Sequence, residues 1–207
     1  MKSENKKKIV VFASGSGTNF INLYKNVKCG IVQLLISNNS ACGAVEYAKK
    51  NSISFKIIND FRYPESDDKN KEYQLALDEI KPNLILLAGF MKKIPENIIF
   101  EYRNKIMNIH PSLLPKFGGK GFFGMKVHEA VINSGEKKTG ATVHLVNECY
   151  DKGPIVLQDT VDVDKEDTID SISKKVLEIE YSIYLKAVNL FCEDKLYINN
   201  NKVIINE

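Results

Sequence analysis

The sequence has no tryptophan, only three histidines and four cysteines, and no apolar run near the ~18 residues that a membrane span requires. Each shortage excludes something. Cys29, Cys42, Cys149 and Cys192 are scattered, with no CxxC pair, which argues against a zinc ribbon and against a disulfide framework. They read as reduced thiols of a soluble cytoplasmic protein. His110, His128 and His144 stand 18 and 16 residues apart, so no paired-histidine metal site is expected. Net charge is only +3, and the Lys6-Lys7-Lys8 run near the start is followed by no basic stripe with interleaved aromatics. Nucleic acid is therefore not an expected partner, whereas acidic small molecules are compatible. The same lysines lead into a short strand-like run, not into the core of a signal peptide.

What is present is an ordinary globular composition: 207 residues, 43% apolar and 27% charged. One domain over 1–207 is expected, with 1–7 as a flexible tail. The first half alternates between two periods. Short continuous apolar runs at 8–13, 31–37, 55–58, 84–88 and 106–109 read as buried parallel strands. Between them, 18–27, 44–50, 69–80 and 95–102 read as helices. Such alternation with short loops predicts right-handed crossovers and a doubly wound, mostly parallel α/β sheet.

The second half changes character. Residues 125–133 look helical, and 142–146 and 155–158 read as strands joined through Asp151-Lys152-Gly153-Pro154, a strong turn signal. They suit an antiparallel pair at a sheet edge. Asp167-Thr168 then caps a long C-terminal helix with apolar positions Ile169, Ile172, Val176, Ile179, Ile183, Ala187 and Leu190, a core-facing stripe. Residues 196–207, broken by Asn199-Asn200-Asn201, resemble a closing hairpin.

Ser14-Gly15-Ser16-Gly17-Thr18-Asn19 lies between the first strand and the first helix, where open α/β sheets bind anions on bare amides and a helix N-terminus. A tight turn without a ligand is the alternative. The dinucleotide fingerprint fails, because Phe20 follows where a third glycine belongs and Ser37-Asn38-Asn39-Ser40 offers no acid for a ribose. A P-loop fails as well: Leu114 occupies the first glycine position before Gly119-Lys120, and Gly121 replaces Ser/Thr. The loop suits one phosphate better than a whole nucleotide cofactor.

Asn108 and His110 stand two apart at the end of a strand that Pro111 stops, so an amide and an imidazole project from one face. An oxygen-binding donor beside a proton-transfer group suits carbonyl chemistry. A strand end with a hydrogen-bonded histidine is the structural reading. Asp151 is the candidate carboxylate to orient the imidazole and raise its pKa, or else simply a turn aspartate. His128 reads as a surface or structural helix residue, and His144 as a satisfied wall of the sheet.

With Leu87-Ala88-Gly89-Phe90-Met91, Asn108-Ile109-His110-Pro111-Ser112-Leu113-Leu114-Pro115 and Asp151-Lys152-Gly153-Pro154 added to the glycine loop, the chain resembles the glycinamide ribonucleotide formyltransferases. These are folate-dependent enzymes of purine synthesis, and the resemblance runs from Lys8 to about Leu196. It implies a Rossmann-like formyltransferase fold and 10-formyltetrahydrofolate as co-substrate, without a metal. It implies Asn108, His110 and Asp151 as the catalytic trio, and Gly17, Thr18, Asn19 and Glu180 as substrate-binding residues. Met91, Lys92, Lys93 and Ile94, with Asn108 and with Asn147, Glu148, Cys149 and Tyr150, would line the folate pocket. Asn108 would donate to the oxyanion and protonated His110 would stabilise it. A monomer or weak homodimer is expected.

Three departures matter. Lys92 stands where the family often has arginine, exchanging a fork-shaped donor for a point charge. Lys69-Asn70-Lys71 replaces another common arginine before Glu72-Tyr73. The loop 117–124 carries four glycines and is expected to be mobile and to close over a ligand. Competing readings are a formyltetrahydrofolate hydrolase, another folate-dependent formyltransferase such as the methionyl-tRNA enzyme, and a non-catalytic phosphometabolite sensor. The first would carry an N-terminal regulatory domain and the second a C-terminal tRNA-binding domain, and neither is expected here.

Overall fold

The computed structural model describes residues 6–200 and 202–206, so the expected tail lies outside the described residues over 1–5. The chain divides into two compact units, residues 1–106 and 107–207, each taken by itself below.

The first unit alternates β1 (Lys7–Phe12), α1 (Thr18–Asn26), β2 (Gly30–Ser37), α2 (Gly43–Lys50), β3 (Phe55–Ile57), α3 (Ser66–Ile80), β4 (Leu84–Leu87) and α4 (Glu96–Glu101). Its strands run in the order β3-β2-β1-β4, every pair parallel. Ile9, Val10 and Val11 of β1 and Leu84, Ile85 and Leu86 of β4 are fully buried, which is why these runs are continuously apolar rather than alternating. Phe20 and Leu23 turn the buried face of α1 inward. Helix α3 begins three residues earlier than its apolar pattern predicts, at Ser66, with Asp67 and Asp68 in a first turn that favours negative charge. It stops at Lys81, left-handed at φ 51°, before Pro82.

The second unit contains β5 (Ile106–His110), α5 (Met125–Ser134), β6 (Lys138–Leu145), β7 (Ile155–Asp162), α6 (Ile169–Cys192), β8 (Leu196–Asn199) and β9 (Lys202–Ile205). Here the pairing is antiparallel, in the order β5-β6-β7, with β8 and β9 as a separate hairpin. β6 starts four residues before, and β7 ends four residues after, the strands read from the sequence. Lys138, Gly140, Asp159 and Asp162 are poor strand formers held by the ladder itself, pairing as Lys138↔Asp162 and Gly140↔Thr160.

Helix α6 starts where the cap signal places it. The Thr168 side chain accepts from Ser171 N while Ser171 Oγ accepts from Thr168 N. Its buried stripe differs from the predicted one in part. Ile172, Val176, Ile183 and Ala187 are buried as expected, but Glu180, Tyr184 and Val188 take the places next to them while Ile169, Ile179 and Leu190 are half-buried. Tyr184 OH donates to the Met107 carbonyl at 3.1 Å, pinning α6 to the start of β5.

Candidate active site

The antiparallel register of β5 and β6 sets Asn108 opposite His144 and His110 opposite Thr142. Across such a pair facing side chains touch, and Asn108 Nδ2 lies 3.1 Å from His144 Nε2. The other nitrogen of His144, Nδ1, lies 2.9 Å from the Leu145 carbonyl. A carbonyl only accepts, so Nδ1 carries a hydrogen, and Nε2 is left to face the Asn108 amide. One amide hydrogen is thereby fixed, and the second remains for an oxygen of a ligand.

Asp151 joins the cluster from the loop between β6 and β7. Its Oδ1 is 3.4 Å from His144 Nε2 and its Oδ2 is 3.6 Å from His110 Nδ1. Gly119 N donates to Oδ2 at 2.8 Å. The backbone of Asp151 is left-handed, φ 54°, a conformation aspartate tolerates better than most side chains. Gly153 makes this turn possible: a Cβ there would lie 1.7 Å from the Leu145 carbonyl oxygen. The His110 Nε2 donates to the Phe117 carbonyl at 2.8 Å, leaving Nδ1 on the Asp151 side.

Burial lowers the His110 pKa below 6.5, outweighing the attraction of Asp151 and the bond to Phe117, which raise it. The expected upward shift is thus reversed, and the imidazole is neutral at neutral pH. Asp151 behaves oppositely. Burial raises its pKa, but the adjacent His144 and His110 imidazoles and the Gly119 amide together bring it below 3.8. His128, on α5, is buried and held neutral down to about 4, mainly by burial and secondarily by His110.

In the first unit Gly17 sits at the N-cap of α1 with φ 80°, and a Cβ there would be 2.6 Å from Ala44 Cα. The helix has no side-chain cap at Gly17 and no acid in its first turn, as an anion site at a helix N-terminus requires. Thr18 opens the helix and Asn19 is buried. Ser14 ties this loop to the segment after β4: Met91 N donates to Ser14 Oγ at 2.8 Å, and Ser14 N to the Gly89 carbonyl at 3.1 Å.

Lys92 Nζ lies 3.1 Å from Asp60, and Lys69 pairs with the other oxygen of the same carboxylate. Lys92 and Lys69, the neighbour of Asn70, therefore converge on one acid, whose pKa is lowered chiefly by Lys69. Lys93 pairs with Glu96 at 3.1 Å and Ile94 is buried. In the second unit Asn147 Oδ1 accepts from Cys149 N at 3.0 Å, Cys149 and Tyr150 are exposed, and Glu148 follows Asn147 in the same loop. Glu180 is buried, one helical turn before Tyr184. Among the described residues no cluster of three His, Cys, Asp or Glu has a metal-holding arrangement.

The sequence profile of the formyl transferase family matches residues 7–188. The chain belongs to the formyl transferase family. Two plant relatives carry the name phosphoribosylglycinamide formyltransferase, chloroplastic. The one from Arabidopsis thaliana is 39% identical over 92% of this chain and 67% of its own length. The one from Vigna unguiculata is 39% identical over 92% of this chain and 62% of its own length. The chain thus spans roughly two thirds of the length of these relatives. Glycinamide ribonucleotide transformylase 1 from Symbiobacterium toebii superposes with a TM-score of 0.91 at 30% identity, covering 100% of this chain and 96% of that one.

This formyl transferase has the family's Rossmann-like fold, doubly wound and mostly parallel, with antiparallel edge strands and a long C-terminal helix. Asn108, His110 and Asp151 meet within the second unit, which the sequence left open for Asp151. The loops at 14–19 and 89–91 meet within the first. His144 is the residue the sequence pattern undervalues: it is a satisfied wall of the sheet, and it also bridges Asn108 and Asp151. Its signal is its register opposite Asn108, which a linear sequence does not display.

Proposed function

We propose that the chain transfers the formyl group of 10-formyltetrahydrofolate to the amine of glycinamide ribonucleotide, within one functional domain. The observation that carries this reading is the Asn108–His144–Asp151–His110 cluster, which combines an oriented amide donor with a neutral imidazole facing a carboxylate. The family membership and the names of the relatives support the choice of substrates. The span of the family profile supports the single domain, since residues 7–188 cross both compact units.

The amine attacks the formyl carbon and the carbonyl oxygen becomes negative. The unused amide hydrogen of Asn108 meets that oxygen, while His144 holds the amide in place. His110, neutral because it is buried, takes the proton that the attacking amine loses. The resulting imidazolium is stabilised by Asp151, whose Oδ2 faces Nδ1. As the carbon–nitrogen bond to folate breaks, the same proton goes to the leaving nitrogen. No covalent enzyme intermediate is needed. This order replaces the expected one, in which the imidazole begins protonated.

Gly17, Thr18 and Asn19 receive the phosphate end of the ribonucleotide, and Glu180 receives its amine end. Residues 91–94 and 147–150 line the folate site. The reaction is placed in the cytoplasm, which the four free cysteines support, and no described helix is long and apolar enough to cross a membrane. A monomer or weak homodimer suffices for this chemistry. The test is to follow folate deformylation with and without glycinamide ribonucleotide. Turnover that requires the ribonucleotide supports the transferase; turnover without it, or binding without turnover, overturns it.

A further inference from the structure

Where the sheet of the first unit gives way to its loops, one residue bonds to the loops on both sides of it. Ladder bonds flanking β1 end with Ala13 N donating to the Ile36 carbonyl at 3.0 Å and Ala88 N to the Phe12 carbonyl at 2.8 Å. Ser14 is the next residue, and it is buried. Its backbone N donates to the Gly89 carbonyl at 3.1 Å, and its Oγ accepts from Met91 N at 2.8 Å. Ser14 thus grips both ends of the turn from Gly89 to Met91. Met91 is held by its backbone, while its side chain is 49% exposed and open to a ligand. On the other side the Ser14 hydroxyl donates to Asn38 Oδ1, and the Ser14 carbonyl accepts from Asn39 Nδ2 at 3.4 Å.

The direction of these bonds matters. A hydroxyl has one hydrogen, and Met91 N needs a lone pair. By taking that hydrogen, Asn38 Oδ1 turns a lone pair of the Ser14 oxygen toward Met91. The two bonds at one oxygen also polarise each other. We propose that Ser14 and Asn38 act together as positioning residues for formyl transfer. They hold the 14–19 loop and the Met91 segment at one spacing, and so set the placement of the ribonucleotide against the folate. This rests on the assignment of those two segments to the two substrates. Neither side chain needs to touch a substrate. Reacting atoms must lie about 3–3.5 Å apart, and a displacement of about 1 Å costs on the order of 10²-fold in rate. A clamp at the base of both loops therefore controls rate more than affinity.

The test compares Ser14→Ala, Asn38→Ala and the double variant of the full chain. Ser14→Ala is expected to lower kcat by about 10²-fold, with the KM of each substrate changed by less than about twofold. Asn38→Ala should cost less, about tenfold, because the hydroxyl survives without its direction. The double variant should be no slower than Ser14→Ala, since both side chains act through one oxygen. A binding measurement separates positioning from general damage. Tetrahydrofolate and glycinamide ribonucleotide are titrated singly, and then a stable adduct in which a methylene group joins the ribonucleotide amine to the folate nitrogen. Ser14→Ala should bind each single ligand as the native protein does, and the adduct about tenfold or more weakly. A native kcat, additive losses in the double variant, or single-ligand affinities that fall as far as that of the adduct overturn the proposal. The affinities need no turnover. A native protein that binds these ligands but transfers no formyl group therefore overturns the functional reading, while the adduct still decides the spacing.

Discussion

At pH 7 an unperturbed histidine is about a quarter protonated. His110 carries less charge than that, because burial disfavours the cation more than Asp151 favours it. Activity that depends on the neutral base should therefore be flat above neutrality and fall only as pH drops through a value below 6.5. Replacing Asp151 with Asn removes the group that opposes burial. The acid limb of kcat/KM should move to still lower pH, while kcat drops by about 10²-fold or more and KM changes little. A wild-type kcat, or an acid limb moved upward, would contradict the assigned role. His128 makes a related claim on stability. Its pKa is about 4 in the fold against 6.5 unperturbed, so below pH 6.5 the unfolded chain binds the extra proton first. Its contribution is complete above pH 6.5 and is lost as pH falls toward 4, up to about 3 kcal/mol in all. Comparison of urea midpoints at pH 7 and pH 5 should show a smaller difference in His128→Gln than in the native protein.

Elements place these residues by register and by caps. Had β6 slipped by one residue against β5, His144 would face away from Asn108 and the amide would lose its orienting partner. The β5–β6 pairs from Met107↔Leu145 to His110↔Thr142 hold that register, and the ladder to β7, which shifts register between Val143 and His144, extends β6 through residues that the sequence alone does not mark as strand. Helix α6 carries Glu180 and Tyr184 on its buried face and is anchored by the Thr168–Ser171 capping box. Thr168→Ala should cost about 1 kcal/mol, seen as a lower urea midpoint with an unchanged m-value. Because the cap lies three turns from Glu180, kinetics measured well below the midpoint should stay the same. The apolar pattern of α6 is legible in the sequence at Ile172, Val176, Ile183 and Ala187. Glu180 is not, since a lone carboxylate at a helical position reads as solvated until its neighbours are known.

For the whole molecule, ligand linkage gives the broadest test. A ribonucleotide that binds only the folded chain should stabilise it by about 2.7 kcal/mol at a concentration one hundred times its Kd. Thermal unfolding with and without glycinamide ribonucleotide measures this directly. Gly17→Val should abolish the increment, because a side chain at φ 80° would both strain the loop and strike Ala44. An equal increment in that variant would remove the glycine loop from the binding site. The small net charge of +3 predicts that this affinity resides in local contacts, with little long-range steering and a weak dependence on salt.

The sequence by itself determined the alternation of strands and helices, the loop at 14–19, and the Asn108-x-His110 pair. All of these depend on local periodicity or on residues close in the chain. It also marked Asp151 as a candidate, though equally as a turn residue. Only the tertiary structure decided that Asp151 reaches His110 and His144, that Lys69 and Lys92 share Asp60, and that His144 orients Asn108. It also set the direction of the His110 pKa. The physical reason is the same each time: strand register, burial and pair distances arise between segments far apart in the chain, and no local pattern encodes how desolvation and charge balance where they meet.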